Sequence, residues 1–155
     1  MMLSKELQIG KAGEHLVCYD LIRQGYNAFL SDQGLPFDII AEQKGILKKI
    51  QVKTTQKLFS CGKIKNIYRF GLRRAKNKQG RLKEVDCDYY AFVALDIKII
   101  AYIPMKKMYG RNNKLKSTMD FKSRNIKYFG RTYPNGTVRN PDWGKCLQDF
   151  NKFNF

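Results

Sequence analysis

Three side chains in one stretch, Asp38, Gln51 and Lys53, have the types and spacing to hold a divalent metal ion beside a phosphate. They lie in PFDIIAEQKGILKKIQVKTT, residues 36–55, where strand-like runs over 37–42 and 46–55 flank the polar turn Gln43-Lys44-Gly45. Strand side chains alternate, so Gln51 and Lys53 share one face while Ile50 and Val52 take the other. Ile39 is expected to point inward, which leaves Asp38 where Gln51 and Lys53 can converge. One carboxylate, one neutral oxygen donor and one ammonium on a shared face suit Mg²⁺ bound against a phosphate. Taken alone, the same string also suits the solvated face of an ordinary strand pair.

The element upstream must be a helix. Ser4 is its expected N-cap, and Leu7, Ala12, Leu16, Tyr19 and Ile22, with Val17 and Leu21 beside them, form an apolar stripe at helical spacing. Gly25 is expected to end it. Gly10 and Gly13 fall inside, each costing about 1 kcal/mol against alanine, and their expected use is a close approach of helix to sheet. Lys11 and Glu14 fall off the stripe.

This arrangement resembles the PD-(D/E)xK nuclease superfamily, whose signature is an acid on one strand and an acid-x-Lys on the next. Pro36 and Asp38 correspond to the first half, with Phe37 inserted between them. Gln51-Val52-Lys53 corresponds to the second, with glutamine where the family usually has an acid. In resolvase-like branches a helix glutamate commonly joins the site, here Glu14 in Gly10-Lys11-Ala12-Gly13-Glu14. The glutamine, the small size and the basic tail are most similar to the small homing endonucleases of this fold encoded in group I introns. The resemblance covers about the first two thirds of the chain, with the motif between Glu14 and Lys53.

The resemblance implies an α/β fold, a restriction-endonuclease-like core of mixed β-sheet flanked by helices, extended by a basic β-ribbon and a C-terminal extension. It implies hydrolysis of DNA phosphodiester bonds with Mg²⁺ or Mn²⁺. Asp38, the Gln51 side-chain oxygen and the Val52 carbonyl would be metal ligands. Glu14 would hold a water at the metal or a second ion, and Lys53 would orient or activate the attacking water. Breaking both strands requires two sites, so the expected partners are double-stranded DNA and further copies of the chain, as a homodimer or homotetramer. A Holliday-junction resolvase would share the whole site. A non-catalytic nucleic-acid-binding module with a decayed site is the other alternative, and Gln51 is its support.

Composition narrows the field. The 155 residues suit one domain over 1–155, with a core over about 1–105 and a basic, aromatic extension over about 106–155. Thirty Lys and Arg against thirteen Asp and Glu give a net charge of +17, which calls for a polyanionic partner. Cys18, Cys61, Cys87 and Cys146 form no C-x-x-C pair, and His15 is the single histidine, which argues against a zinc site and against histidine-based nucleases. With no signal peptide and no apolar run of membrane-spanning length, the expectation is a cytoplasmic protein with reduced thiols and no membrane partner.

Further along, Tyr26 to Leu30 reads as a first strand. From Lys57 to Lys83 there are ten basic residues and no acid, with a strand expected at Ile67–Leu72 and a loop at 73–81. This region is expected to be the DNA-contacting ribbon: Arg69, Arg73 and Arg74 placed to read guanine, and Lys57, Lys63, Lys65, Lys76, Lys78 and Arg81 against DNA as well. Two central strands are expected at Tyr89–Leu95 and Ile97–Ile103, with a solvated acidic turn at Glu84, Asp86 and Asp88 before them. A short helix over Met105–Tyr109 follows Pro104. Trp143, Phe150, Phe153 and Phe155 are expected to fold back on the domain or to build a subunit contact.

Overall fold

A computed structural model describes residues 4–32, 34–61, 64–72, 85–122, 131–132 and 138–139. Helix α1 spans Lys5–Arg23 and begins where Ser4 Oγ accepts from the Leu7 amide at 3.3 Å. Strands β1 (Asn27–Leu30), β2 (Ile39–Gln43) and β3 (Ile46–Thr55) form an antiparallel meander. The β2–β3 turn is Lys44-Gly45, both at positive φ (53° and 79°), the condition for a two-residue turn that matches strand twist. Glu42 closes it: one carboxylate oxygen accepts from the Gly45 amide at 2.7 Å, the other from Asn27 Nδ2 at 2.6 Å.

After β3 the chain leaves the sheet to make β4 (Phe59–Cys61) and β5 (Ile64–Gly71), then returns as β6 (Tyr89–Ala94), parallel to β3, and β7 (Ile99–Pro104). The result is a five-stranded mixed sheet in the order β1-β2-β3-β6-β7. A 3₁₀ turn, Met105–Met108, stands where a short helix was expected. Strand β8 (Thr118–Lys122) pairs with β5, giving a second sheet in the order β4-β5-β8. Strands β9 (Arg131–Thr132) and β10 (Val138–Arg139) pair with each other. Residues 97 and 98 belong to the β6–β7 turn and not to the second central strand, with Lys98 at φ 52°.

The two faces of the large sheet have different covers. Val52, Ala91 and Tyr102 lie in one cross-strand row, and Tyr102 donates to Asp20 of α1 at 2.7 Å, so this row faces the helix. The next row, Lys53, Phe92 and Ala101, faces the other way. There Phe92 packs against Phe70 of β5 and Phe121 of β8 at ring separations of 5.2 and 5.1 Å. Among the described residues, the face away from α1 is thus covered by the small sheet. The region read as a basic ribbon supplies two of that sheet's three strands. This aromatic cluster, with Tyr90 stacked on Phe92 at 5.5 Å, is the centre of the core.

Helix burial differs in phase from the sequence expectation. Gly13, Val17 and Leu21 are the buried positions, an i, i+4, i+8 line, whereas Leu7, Tyr19 and Ile22 are exposed. Gly13 sets this phase. A Cβ there would lie 1.9 Å from Thr54 Oγ1 and 2.9 Å from both Thr54 Cβ and Cγ2, so turning the threonine only exchanges one clash for another. Gly10 has open space, so the close approach rests on Gly13 alone. Gly13→Ala is therefore expected to destabilise the fold by roughly 1–3 kcal/mol through overpacking, despite the better helix propensity of alanine. Adding Thr54→Ala should restore part of that loss, since it removes the nearest atoms and a buried hydroxyl that has no hydrogen-bond partner. Urea midpoints of the two variants and the parent measure this; an unchanged midpoint for Gly13→Ala would show that the helix can back away from β3.

Candidate active site

The register of the β2–β3 hairpin brings the acid and the amide together. Ile39 pairs with Ile50, so one step further Asp38 falls opposite Gln51. Asp38 sits just before the first residue of β2, yet its amide donates to Ile50 O at 2.9 Å and its carbonyl accepts from Ser31 N at 2.9 Å, so its backbone is held on both sides. Its Oδ2 accepts from the Val52 amide at 2.7 Å and from Gln51 Nε2. A carboxylate fixed by a backbone N–H and an amide is pre-aimed, with little freedom left to lose when it meets a ligand.

Gln51 is only 6% exposed, and it is the one polar residue among the buried positions described. Its Nε2 is satisfied by Asp38, but its Oε1 is buried and accepts no hydrogen bond. An orphaned buried carbonyl oxygen costs about 1–3 kcal/mol, so this one calls for a partner. A hard cation beside Asp38 would satisfy it. Lys53 follows two residues later on the same side of β3 and is half-buried.

The helix contributes a second charged pair. Glu14 is 16% exposed at its side chain, and its Oε2 accepts from Lys11 Nζ at 2.7 Å. That hydrogen bond holds the Lys11 ammonium above its usual pKa against desolvation, and the charges of Glu14 and Asp38 add to the effect. Lys11 thus lies within electrostatic reach of both acids. Sequence reasoning left it out; its one signal is the i, i+3 spacing to Glu14.

Other groups near the site are unsuited to chemistry. Cys87 lies close to the Gln51 amide, and burial pushes its thiol up to about 12. Cys18 is raised by burial and then by Glu14. Neither forms a thiolate at neutral pH. Asp88 accepts from the Lys49 amide at 2.8 Å and Asp86 pairs with Lys49 Nζ at 2.6 Å, so both serve to tie β3 to the start of β6. Among the described residues no three His, Cys, Asp or Glu stand close enough to hold a metal ion. The oxygens that the hairpin brings together are those of Asp38 and Gln51, with the Val52 amide on Asp38 Oδ2, while Glu14 lies on α1 paired with Lys11. Carboxylate and amide oxygens without nitrogen or sulfur fit Mg²⁺ or Mn²⁺.

Of the residues expected to contact DNA, Lys57 is exposed after β3 and Lys65 lies on β5. Arg69 is engaged: its Nε and Nη2 reach the two Asp120 oxygens of β8 at 2.8 and 2.7 Å, and its guanidinium lies over the Phe59 ring at 4.4 Å. A guanine contact by Arg69 would have to displace this bidentate pair, so the structure gives the residue a role in joining the strands of the small sheet. Lys63, Arg73, Arg74, Lys76, Lys78 and Arg81 lie outside the described residues, as do Glu84 and the aromatic tail.

A sequence profile described as PD-(D/E)XK endonuclease matches residues 4–131. No curated protein sequence matches the chain. Among solved structures, that of the bacterial homing endonuclease I-Ssp6803I is similar, with a TM-score of 0.67 over 94% of this chain and 90% of that one. At 14% sequence identity this is a likeness of fold.

Proposed function

The chain belongs to the PD-(D/E)XK endonuclease family, and we propose that it is a Mg²⁺- or Mn²⁺-dependent DNA endonuclease of the site-specific, homing kind that breaks both strands. The observation that carries the metal reading is the Gln51 side chain, whose buried, unpartnered oxygen stands beside the one carboxylate that the hairpin aims. Gln51 occupies the position where the family signature has an acid, and its likeness to the homing endonuclease fold supports the choice among nucleases.

Asp38, Gln51 Oε1 and the Val52 carbonyl would hold the ion, with Glu14 completing the charge. When bound, the ion supplies Lewis acidity at a phosphate oxygen and an acidified water. Lys53 orients the attacking water and offsets charge that builds on the phosphate as the P–O bond breaks. Asp38 stays fixed by the Val52 amide throughout, which keeps the cost of reorganisation low. Glu14 positions water on the helix side. The net charge of +17 draws the duplex in. Two copies, one per strand, would complete a double-strand break, so the acting species is a homodimer or homotetramer.

Incubation with a randomised duplex library and a four-way junction, in Mg²⁺ and in EDTA, tests this reading. The expected result is Mg²⁺-dependent cutting of both strands at one recurring duplex sequence. Cutting confined to the junction would assign a structure-selective resolvase, and cutting undiminished in EDTA would exclude a divalent-metal site.

A further inference from the structure

We infer that Lys11 is a built-in counter-ion of the proposed metal site, a positioning residue that pairs with Glu14 before a divalent ion arrives and competes with that ion for the carboxylate. The inference rests on the metal reading of the site given above.

Lys11 pairs with Glu14 on α1 and lies within electrostatic reach of Asp38 on the hairpin. Asp38 is aimed by the hairpin through Val52, and Glu14 is presented by α1 one residue after the glycine that seats the helix on Thr54. Glu14 is too shielded to rely on water for its counter-charge, and its hydrogen-bonding partner is Lys11 at 2.7 Å. The lysine is more open than the glutamate, 35% against 16% exposed, so its ammonium can leave toward solvent or a DNA phosphate while the carboxylate stays. Nor is Lys11 placed to pack: among the described residues α1 buries Gly13, Val17 and Leu21, and Lys11 is off that line.

A cation already paired with Glu14 must be displaced or moved aside by a divalent ion that uses this carboxylate, and the metal affinity is lower by that interaction. Lys11→Met keeps the helix and the length of the side chain but removes the charge, whereas Lys11→Arg keeps the charge. Titration of the full-length protein with Mn²⁺ in the absence of DNA, by calorimetry at fixed pH and salt, separates the cases. Lys11→Met should bind Mn²⁺ about three- to tenfold more tightly than the parent, the scale of one close charge pair near a surface. Lys11→Arg should titrate like the parent, and Asp38→Asn should lose the site. Equal or weaker Mn²⁺ binding by Lys11→Met, with Asp38→Asn still impaired, would overturn the counter-ion and leave the metal site standing. Unchanged binding in Asp38→Asn would overturn the metal site and the counter-ion together. Circular dichroism of each variant confirms that a change in affinity is not a loss of fold.

Discussion

Asp38→Asn is expected to lower DNA cleavage by on the order of a thousandfold while leaving the fold and the DNA affinity close to those of the parent. The asparagine keeps an oxygen where Asp38 Oδ2 accepts from the Val52 amide, so the hairpin retains that bond. What it removes is the full negative charge, and with it the strongest hold on a divalent ion. Asp38→Ala is the less informative change. It would strip the acceptor from both Val52 N and Gln51 Nε2 in a part-buried place, costing roughly 1–3 kcal/mol and mixing a stability loss with the chemical one. Cleavage assays at saturating Mg²⁺, beside DNA binding in Ca²⁺ or EDTA, decide the matter. Parent-like cleavage by Asp38→Asn would place the chemistry elsewhere in the molecule.

The second large effect is expected at Gln51. Its amide donates to Asp38, so in the metal-free protein the pair is a neutral group bonded to an anion. Gln51→Glu replaces that donor with a second carboxylate at hydrogen-bonding range. Two like charges so close cannot both stay ionised comfortably, and the repulsion is on the order of 3 kcal/mol at an effective dielectric of about 20. For a chain of this size that corresponds to a melting temperature lower by roughly 6–12 °C. Mg²⁺ between the two carboxylates should return most of it, so the variant's melting temperature should rise with Mg²⁺ far more than the parent's. Cleavage should persist and need less Mg²⁺, because a charged ligand stands where a neutral one stood. Gln51→Ala should instead lose most cleavage while DNA binding changes little. Thermal melts and cleavage across a Mg²⁺ series read all three proteins. If Mg²⁺ leaves the melting temperature of Gln51→Glu where it was, the ion does not sit between positions 38 and 51. Retained cleavage by Gln51→Ala would remove Gln51 from the ligand set.

These expectations explain why a glutamine can serve at this position. An acid there would need a cation before the hairpin could close comfortably, whereas the amide lets Asp38 and β3 assemble first. The cost is an oxygen left without a partner. On the metal reading, the site would be formed in advance and completed by its ligand.

The sequence by itself determined the parts whose information is local. Alternating side chains and a Lys-Gly turn specify the β2–β3 hairpin, its register puts Asp38 opposite Gln51, and Ser4 starts the helix. The family signature is legible for the same reason, since it lies on adjacent strands. Only the tertiary structure decided which line of α1 is buried. Leu7, Tyr19 and Ile22 fit a helical period as well as Val17 and Leu21 do, and the choice came from a single close contact between Gly13 and Thr54, 41 positions apart by their numbering. That contact also sets Lys11 within electrostatic reach of the acid on the hairpin. The pairing of Arg69 was not legible because its partner, Asp120, is distant in the chain and becomes its neighbour only when β8 pairs with β5. The burial of Gln51 had the same kind of cause. Polar alternation along β3 suggests a solvated face, but the row Gln51, Tyr90, Ile103 is closed over by the small sheet, with Tyr90 donating to the Leu72 carbonyl that follows β5. A residue's type and its neighbours on one strand fix its direction; whether water or protein meets it there depends on what packs above.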